Sequence, residues 1–148
     1  MTQVDFHSGV GDKVRYACRL LRKAARQGAR VQVCGPSEEV NLLDQALWTF
    51  EPQEFLPHVR LRAGTPPAAA LHRTPIWLTE GAQDWPAGLE AAAVLVNLGP
   101  QGVQAPPHVQ RVIELVADDP EEVEAGRQRW RAWTERGCKP VHHTVRGE

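Results

Sequence analysis

The chain has 148 residues, 42% of them hydrophobic and 24% charged, with a formal net charge of -1. That suits one ordinary domain with a core of normal size, and it excludes a disordered chain or one drawn to nucleic acid or membrane by overall charge. No apolar run approaches the ~18 residues of a membrane helix, no leader pattern opens the chain, and three cysteines without a CxxC (Cys18, Cys34, Cys138) suit a reduced, cytoplasmic protein.

In chain order, Val4–His7 reads as a short strand, followed by a turn at Gly9-Val10-Gly11. Asp12 suits a helix cap. Val14, Ala17, Cys18, Leu21, Ala24 and Ala25 recur at helical spacing over Asp12–Gln27, with Arg15, Arg19, Arg22, Lys23 and Arg26 on the other face and Gly28 as the stop. Arg30–Cys34 reads as a buried strand. Ser37 suits the cap of a second amphipathic helix through Leu42, Leu43, Ala46, Leu47 and Phe50, ending before Pro52. Thr65–Ala69 reads as an exposed loop, Pro75–Thr79 and Ala92–Leu98 as strands, and Gly99–Pro107 as a Gly/Pro loop. After a strand at Arg111–Ala117, Asp118-Asp119-Pro120 starts a helix with an acidic cap and a proline in its first turn, running to about Gly137. Val141–Val145 is a last short strand. Strands alternating with helices predict a single three-layer α/β/α domain over residues 1–148, with a mostly parallel central sheet.

Charge is local in this chain. Lys13 to Arg30 carries seven basic residues and no acid, and Asp118 to Glu124 carries five acids and no base. The carboxylate pairs Asp118-Asp119 and Glu121-Glu122 read as helix capping and a solvated face.

Enzyme signals are weak. The Gly9-Val10-Gly11 turn lies where a dinucleotide-binding turn would lie, but Val14 occupies the third glycine position of GxGxxG and no acid ends the second strand. No phosphate-cradling P-loop sequence occurs. The two serines, Ser8 and Ser37, lie outside any GxSxG. Cys18 and Cys34 read as small core residues. His142 and His143 would point to opposite faces of a strand and could not share a metal. The expectation is therefore no catalytic residue, no cofactor and no metal. A nucleotide-binding enzyme built on the Gly9-Val10-Gly11 turn is kept as the rival reading.

Two constellations stand out. In the first, Leu43-Asp44-Gln45-Ala46-Leu47-Trp48 is followed by Phe55-Leu56-Pro57-His58. Trp48 and Phe55 are either core plugs or a docking patch, because tryptophan is enriched at binding hot spots. In the second, Arg127-Gln128-Arg129-Trp130-Arg131-Ala132-Trp133 places Arg127 and Arg131 one helical turn apart with Trp130 beside them. An arginine fork and an indole wall can hold a carboxylate together with a bulky apolar side chain, as at a chain terminus. The same residues also fit a solvated basic face with both tryptophans on the sheet, or direct binding of single-stranded DNA.

At these two segments the sequence resembles the chi subunit family of bacterial DNA polymerase III, with its Leu-Asp-x-Ala-Leu-Trp helix end, Phe-x-Pro-His, and a later Arg-x-Arg-aromatic-basic-Ala-aromatic helix. The resemblance spans most of the chain and is thin from Leu61 to Gln110. It implies a non-catalytic cytoplasmic adaptor linking the clamp loader to single-stranded-DNA-binding protein, with DNA met only indirectly. In that role Arg127 would take the carboxylate of the partner's acidic C-terminal tail. Val116 and Trp130 would line the apolar pocket, and Arg131 would attract the tail's acids. Trp48, Phe55 and Pro57 would meet the psi subunit or a competing helicase. Two positions depart from the family pattern: Val123 stands where a basic residue can occur, and Trp130 replaces a tyrosine.

Overall fold

A computed structural model describes residues 2–50, 55–61, 74–81 and 93–145. The elements are β1 (Gln3–Val10), α1 (Lys13–Arg26), β2 (Val31–Cys34), α2 (Ser37–Thr49), β3 (His58–Arg60), β4 (Ile76–Thr79), β5 (Val94–Asn97), β6 (Arg111–Ala117), α3 (Pro120–Glu135) and β7 (Val141–Thr144). They form a seven-stranded sheet in the order β3-β4-β2-β5-β6-β1-β7, with every pairing parallel.

The strands are short apolar runs because helices cover both faces. On one face Ala17, Cys18 and Leu21 of α1 and Val40, Leu43 and Leu47 of α2 pack on Val33, Ile76, Leu78, Val96 and Leu115. On the other, Trp133 of α3 packs on Val4, Phe6, Leu95, Val112 and Val116. The domain is thus the three-layer α/β/α sandwich that the alternation of elements predicts.

Burial fits the two inner cysteines to structural roles. It pushes the Cys18 thiol up to about 11, with Asp12 adding to the effect, and the Cys34 thiol up to about 12, with Glu114 adding. Asp12 caps α1 as expected, its side chain accepting from Arg15 N–H at 3.1 Å. Gly28 follows the helix with φ +78°.

Several local expectations are corrected. Gly9 is not in the turn: β1 runs through it to Val10, and the register against β6 slips between His7 and Val10. Its φ of +74° makes it the glycine of a bulge, and a Cβ there would stand 3.1 Å from the carbonyl oxygen of Val145. Close approach of β7 accounts for that glycine without any phosphate. Ser37 is the first residue of α2 rather than its cap; Pro36 holds the cap position, its carbonyl accepting from Val40 N–H. Asp119 caps α3 by position but makes no side-chain cap bond.

Nor is Glu122 merely part of a solvated face. It accepts from Ala117 N–H and pairs with Lys13 at 3.0 Å, and Lys13 also reaches Glu39 and the Leu98 carbonyl. Finally, His58–Arg60, to which the sequence assigned no element, is a strand. His58 is buried, with Nδ1 donating to the Leu56 carbonyl at 2.7 Å, and Arg60 Nε donates to Asn41 of α2 at 3.0 Å. The Thr65–Ala69 loop and Ala92 lie outside the described residues.

Candidate functional site

α3 is held to the sheet by charge as well as by apolar packing. Arg129 and Glu114 are buried, 3% and 0% exposed. Arg129 Nε donates to Glu114 Oε1 at 2.9 Å, and its two terminal nitrogens donate to the carbonyls of Pro100 and Leu115. Asn97 Nδ2 donates to the same Oε1 at 2.8 Å, and Trp133 Nε1 donates to Oε2 at 2.8 Å. A buried ion pair is tolerable only when its remaining donors and acceptors are satisfied in this way. Arg129 therefore fixes the rotation of α3. Residues two positions either side of it, about 200° around the helix, must face out.

Those residues are Arg127 and Arg131, and both border a cavity of about 470 Å³ together with Val116 and Trp130. All four residues assigned by sequence to one site are thus brought together. The cavity is also lined by Phe6, Ser8 and Gly9 of β1, Val123 and Gly126 of α3, and His142 of β7. The Trp130 ring lies 5.1 Å from the Phe6 ring and 6.4 Å from that of His142, nearly perpendicular to the latter. Ser8 Oγ and His142 Nε2 are hydrogen-bonded beside them.

Gly126 sets the depth of the cavity. A Cβ there would come within 2.9 Å of Val116 Cγ2, so α3 lies on β6 as closely as a glycine permits. Arg127 is two-thirds exposed, and among the described residues it is held by a 3.8 Å contact with Glu124, which lets its guanidinium turn toward a ligand. An apolar wall with two arginines at its rim can take an aromatic or aliphatic side chain while its carboxylate is gripped at the edge. Trp133, by contrast, is buried and belongs to the core, with the Arg136 guanidinium 4.7 Å from its ring centroid.

Sequence reasoning missed Phe6, Ser8, Gly126 and His142. The strand period puts Phe6 and Ser8 on one face of β1, but nothing in the sequence says that β7 lies beside them. As expected, His142 and His143 face opposite ways. His142 borders the cavity, and the His143 ring lies 5.3 Å from His7 with its Nε2 3.3 Å from Asp5.

On that opposite face, burial, with the charge of His143 adding, pushes His7 down to about 4. Burial by itself would raise the Asp5 carboxyl. The hydrogen bond from Arg111 at 2.7 Å, with those from Gln3 and His143, outweighs burial and holds Asp5 below its ordinary value. No group of three His, Cys, Asp or Glu side chains among the described residues is placed to hold a metal ion.

The other sequence constellation is a surface patch. Trp48 is 59% exposed and Phe55 65%, so neither is a core plug. Their rings lie 5.4 Å apart, and the edge of His58 meets Trp48 at 4.9 Å. His58 Nε2 stands 3.1 Å from Asp44 Oδ1, off the line of a hydrogen bond, which ties the Phe-Leu-Pro-His segment to α2. Pro57 is exposed beside it, and Leu42 of α2 is half exposed.

No helix among the described residues is long and apolar enough to cross a membrane. Among solved structures the chain is similar in fold to the C-terminal domain of the DEAD-box protein Dbp5, with a TM-score of 0.63, 12% identity, and coverage of 97% of this chain and 90% of that one. It is also similar to domain 2 of the DEAD-box helicase Mss116p, with a TM-score of 0.64, 10% identity, and coverage of 100% and 65%. At such identities the likeness is one of fold alone. In sequence it is 30% identical to the DNA polymerase III subunit chi of Pseudomonas aeruginosa over 160 residues, 98% of each chain. Residues 1–141 match the family described as DNA polymerase III chi subunit, HolC. The chain belongs to the DNA polymerase III chi subunit family, accessory subunits of the replicative polymerase.

Proposed function

We propose that this protein is a non-catalytic bridge in DNA replication. It joins the clamp loader, through a psi-type subunit at Trp48, Phe55 and Pro57, to the acidic C-terminal tail of single-stranded-DNA-binding protein at Val116, Arg127, Trp130 and Arg131; a helicase competes with psi for the first surface. The observation that carries the reading is the cavity in which an indole, Phe6 and Val116 form an apolar wall beneath two outward arginines. Arg127 takes the terminal carboxylate, Trp130 covers the last side chain, and Arg131 attracts the acids upstream. With Arg129 committed to Glu114, only two of the three arginines in this helical segment remain to meet a ligand, which favours one compact anionic group over a long phosphate backbone.

Calorimetry with an acidic nonapeptide ending in Pro-Phe tests the reading. Arg127→Ala should weaken binding by about 1.5 kcal/mol, the low end for a charged hydrogen bond, because the guanidinium is solvated in the free protein. Amidating the peptide terminus should cost about as much, and affinity should fall with salt over the range where the ~8–10 Å screening length shortens. Equal affinity for the free acid and the amide would remove the carboxylate role. Tight binding of an oligonucleotide by the isolated protein would favour direct contact with single-stranded DNA instead.

A further inference from the structure

We infer that the outer edge of β7 is a strand-pairing surface for an extended acidic peptide whose C-terminal residue fills the cavity; the inference rests on the reading of that cavity as a site for a peptide terminus. Among the described residues β7 is the last strand of the sheet and is paired with β1 alone, and it is exposed at all four residues from Val141 to Thr144. Val145 N–H donates to the Ser8 carbonyl at 2.8 Å. Backbone groups alternate sides along a strand, so Val141, His143 and Val145 turn theirs toward β1, while His142 and Thr144 turn theirs outward. Those outward donors and acceptors form an open sheet edge.

The same His142 whose backbone faces outward has its side chain in the cavity wall. A peptide leaving the cavity toward the sheet edge therefore meets free main-chain groups at once. An extended chain added there would gain backbone bonds that do not depend on its side chains. Charge selects the occupant. Residues 138–145 contain Lys139 and two histidines and no acid, and Arg127 and Arg131 stand across the cavity. The carboxylate that contacts β7, Asp5, is buried on the other face of the sheet and already bonded to Arg111. An acidic strand fits this edge better than a second copy of β7, which would bring like charges together.

Amide hydrogen exchange with the acidic nonapeptide ending in Pro-Phe is the test. Exchange of the His142 and Thr144 N–H groups should slow on binding. Thr144→Pro removes one outward donor at a position where an edge strand accepts proline, so pairing with β1 should survive. It should weaken the nonapeptide about tenfold, the equivalent of one or two net main-chain bonds, and leave the affinity of its last three residues unchanged. If that variant does not fold, a nonapeptide N-methylated at alternate upstream positions makes the same cut from the ligand side.

Carboxylate-dependent binding with no protection at His142 and Thr144 would overturn the strand pairing and leave the cavity reading intact. Protection of both amides by peptide acid and amide alike would instead support the edge and refute carboxylate capture. Self-association of the free protein with those amides protected would give the edge to a second copy and overturn the proposal.

Discussion

Replacing Arg129 by Met keeps length and bulk but removes the charge that neutralises Glu114. In the structure the Glu114 carboxylate is fully buried and receives three donors, two of them neutral, from Asn97 and Trp133. Without the guanidinium those two remain, together with an uncompensated buried charge. Removing one partner of such a pair costs about 3–5 kcal/mol. Arg129 also satisfies the carbonyls of Pro100 and Leu115, so the upper half of that range is expected. With a urea m-value of about 1–3 kcal/mol/M for a domain of this size, the unfolding midpoint should drop by about 2 M, read by circular dichroism.

Adding Glu114→Gln to Arg129→Met should restore part of the stability, because the amide leaves no buried charge without a partner. A single variant that loses less than about 1 kcal/mol would refute the ion pair as the anchor of α3.

Gly126→Ala should cost about 1–3 kcal/mol in a thermal melt, because the new methyl meets the stiff branched side chain of Val116 at 2.9 Å and α3 must lift. Peptide affinity should fall with it, and a variant unchanged in both would place the helix farther from β6. His7 titrates at about 4 in the folded protein and near ~6.5 when unfolded, so the unfolded chain binds the extra proton first. Stability should therefore decline as pH falls from about 6.5 to about 4, and His7→Gln should flatten that decline in urea midpoints measured at several pH values. Trp48→Ala should lower stability by no more than about 2 kcal/mol, since more than half of the ring is already in water. It should abolish clamp-loader association in a pull-down while leaving tail-peptide affinity as it was; loss of both would join the two surfaces into one site.

What was legible in the sequence followed from periodicity and from special residues. β2, β4, β5 and β6 are apolar runs because both faces of a parallel sheet are covered, and α1 announces itself by a basic face opposite alanines and leucines. β3 was hidden because His58 and Arg60 are polar, and it becomes a strand by pairing with β4, with Arg60 also bonded to Asn41 of α2, partners that only the fold supplies. The full length of β1 was hidden by Gly9, which looks like a turn residue and serves as a bulge. Arg127 and Arg131 were legible as a pair because helical spacing is a local property. The burial of Arg129 was not, since the usual expectation sends arginine outward. The one available signal was Glu114, a charge in the middle of the otherwise apolar run Val112–Ala117, which demands a buried partner from another element.

The strand order separates the two candidate surfaces. The aromatic patch stands on α2 and the segment leading into β3, the first strand of the sheet. The cavity stands against β1 and β7, the last two. Seven strands at ~4.8 Å put the edges about 29 Å apart. The strands between them are fully buried at Val33, Leu78, Leu95 and Leu115, with no described bond running from the patch to the cavity. Sites so far apart with no shared side chains are energetically independent to first order. On the function proposed above, the sheet would work as a rigid spacer, holding two partners at a fixed distance without either changing the affinity of the other. That behaviour requires a stiff core and two exposed rims. Three of the four large apolar residues that stay exposed among the described residues meet that requirement, Trp48 and Phe55 at one rim and Val141 at the other, while the half-exposed Leu42 stands on α2 beside Asp12 and Val14.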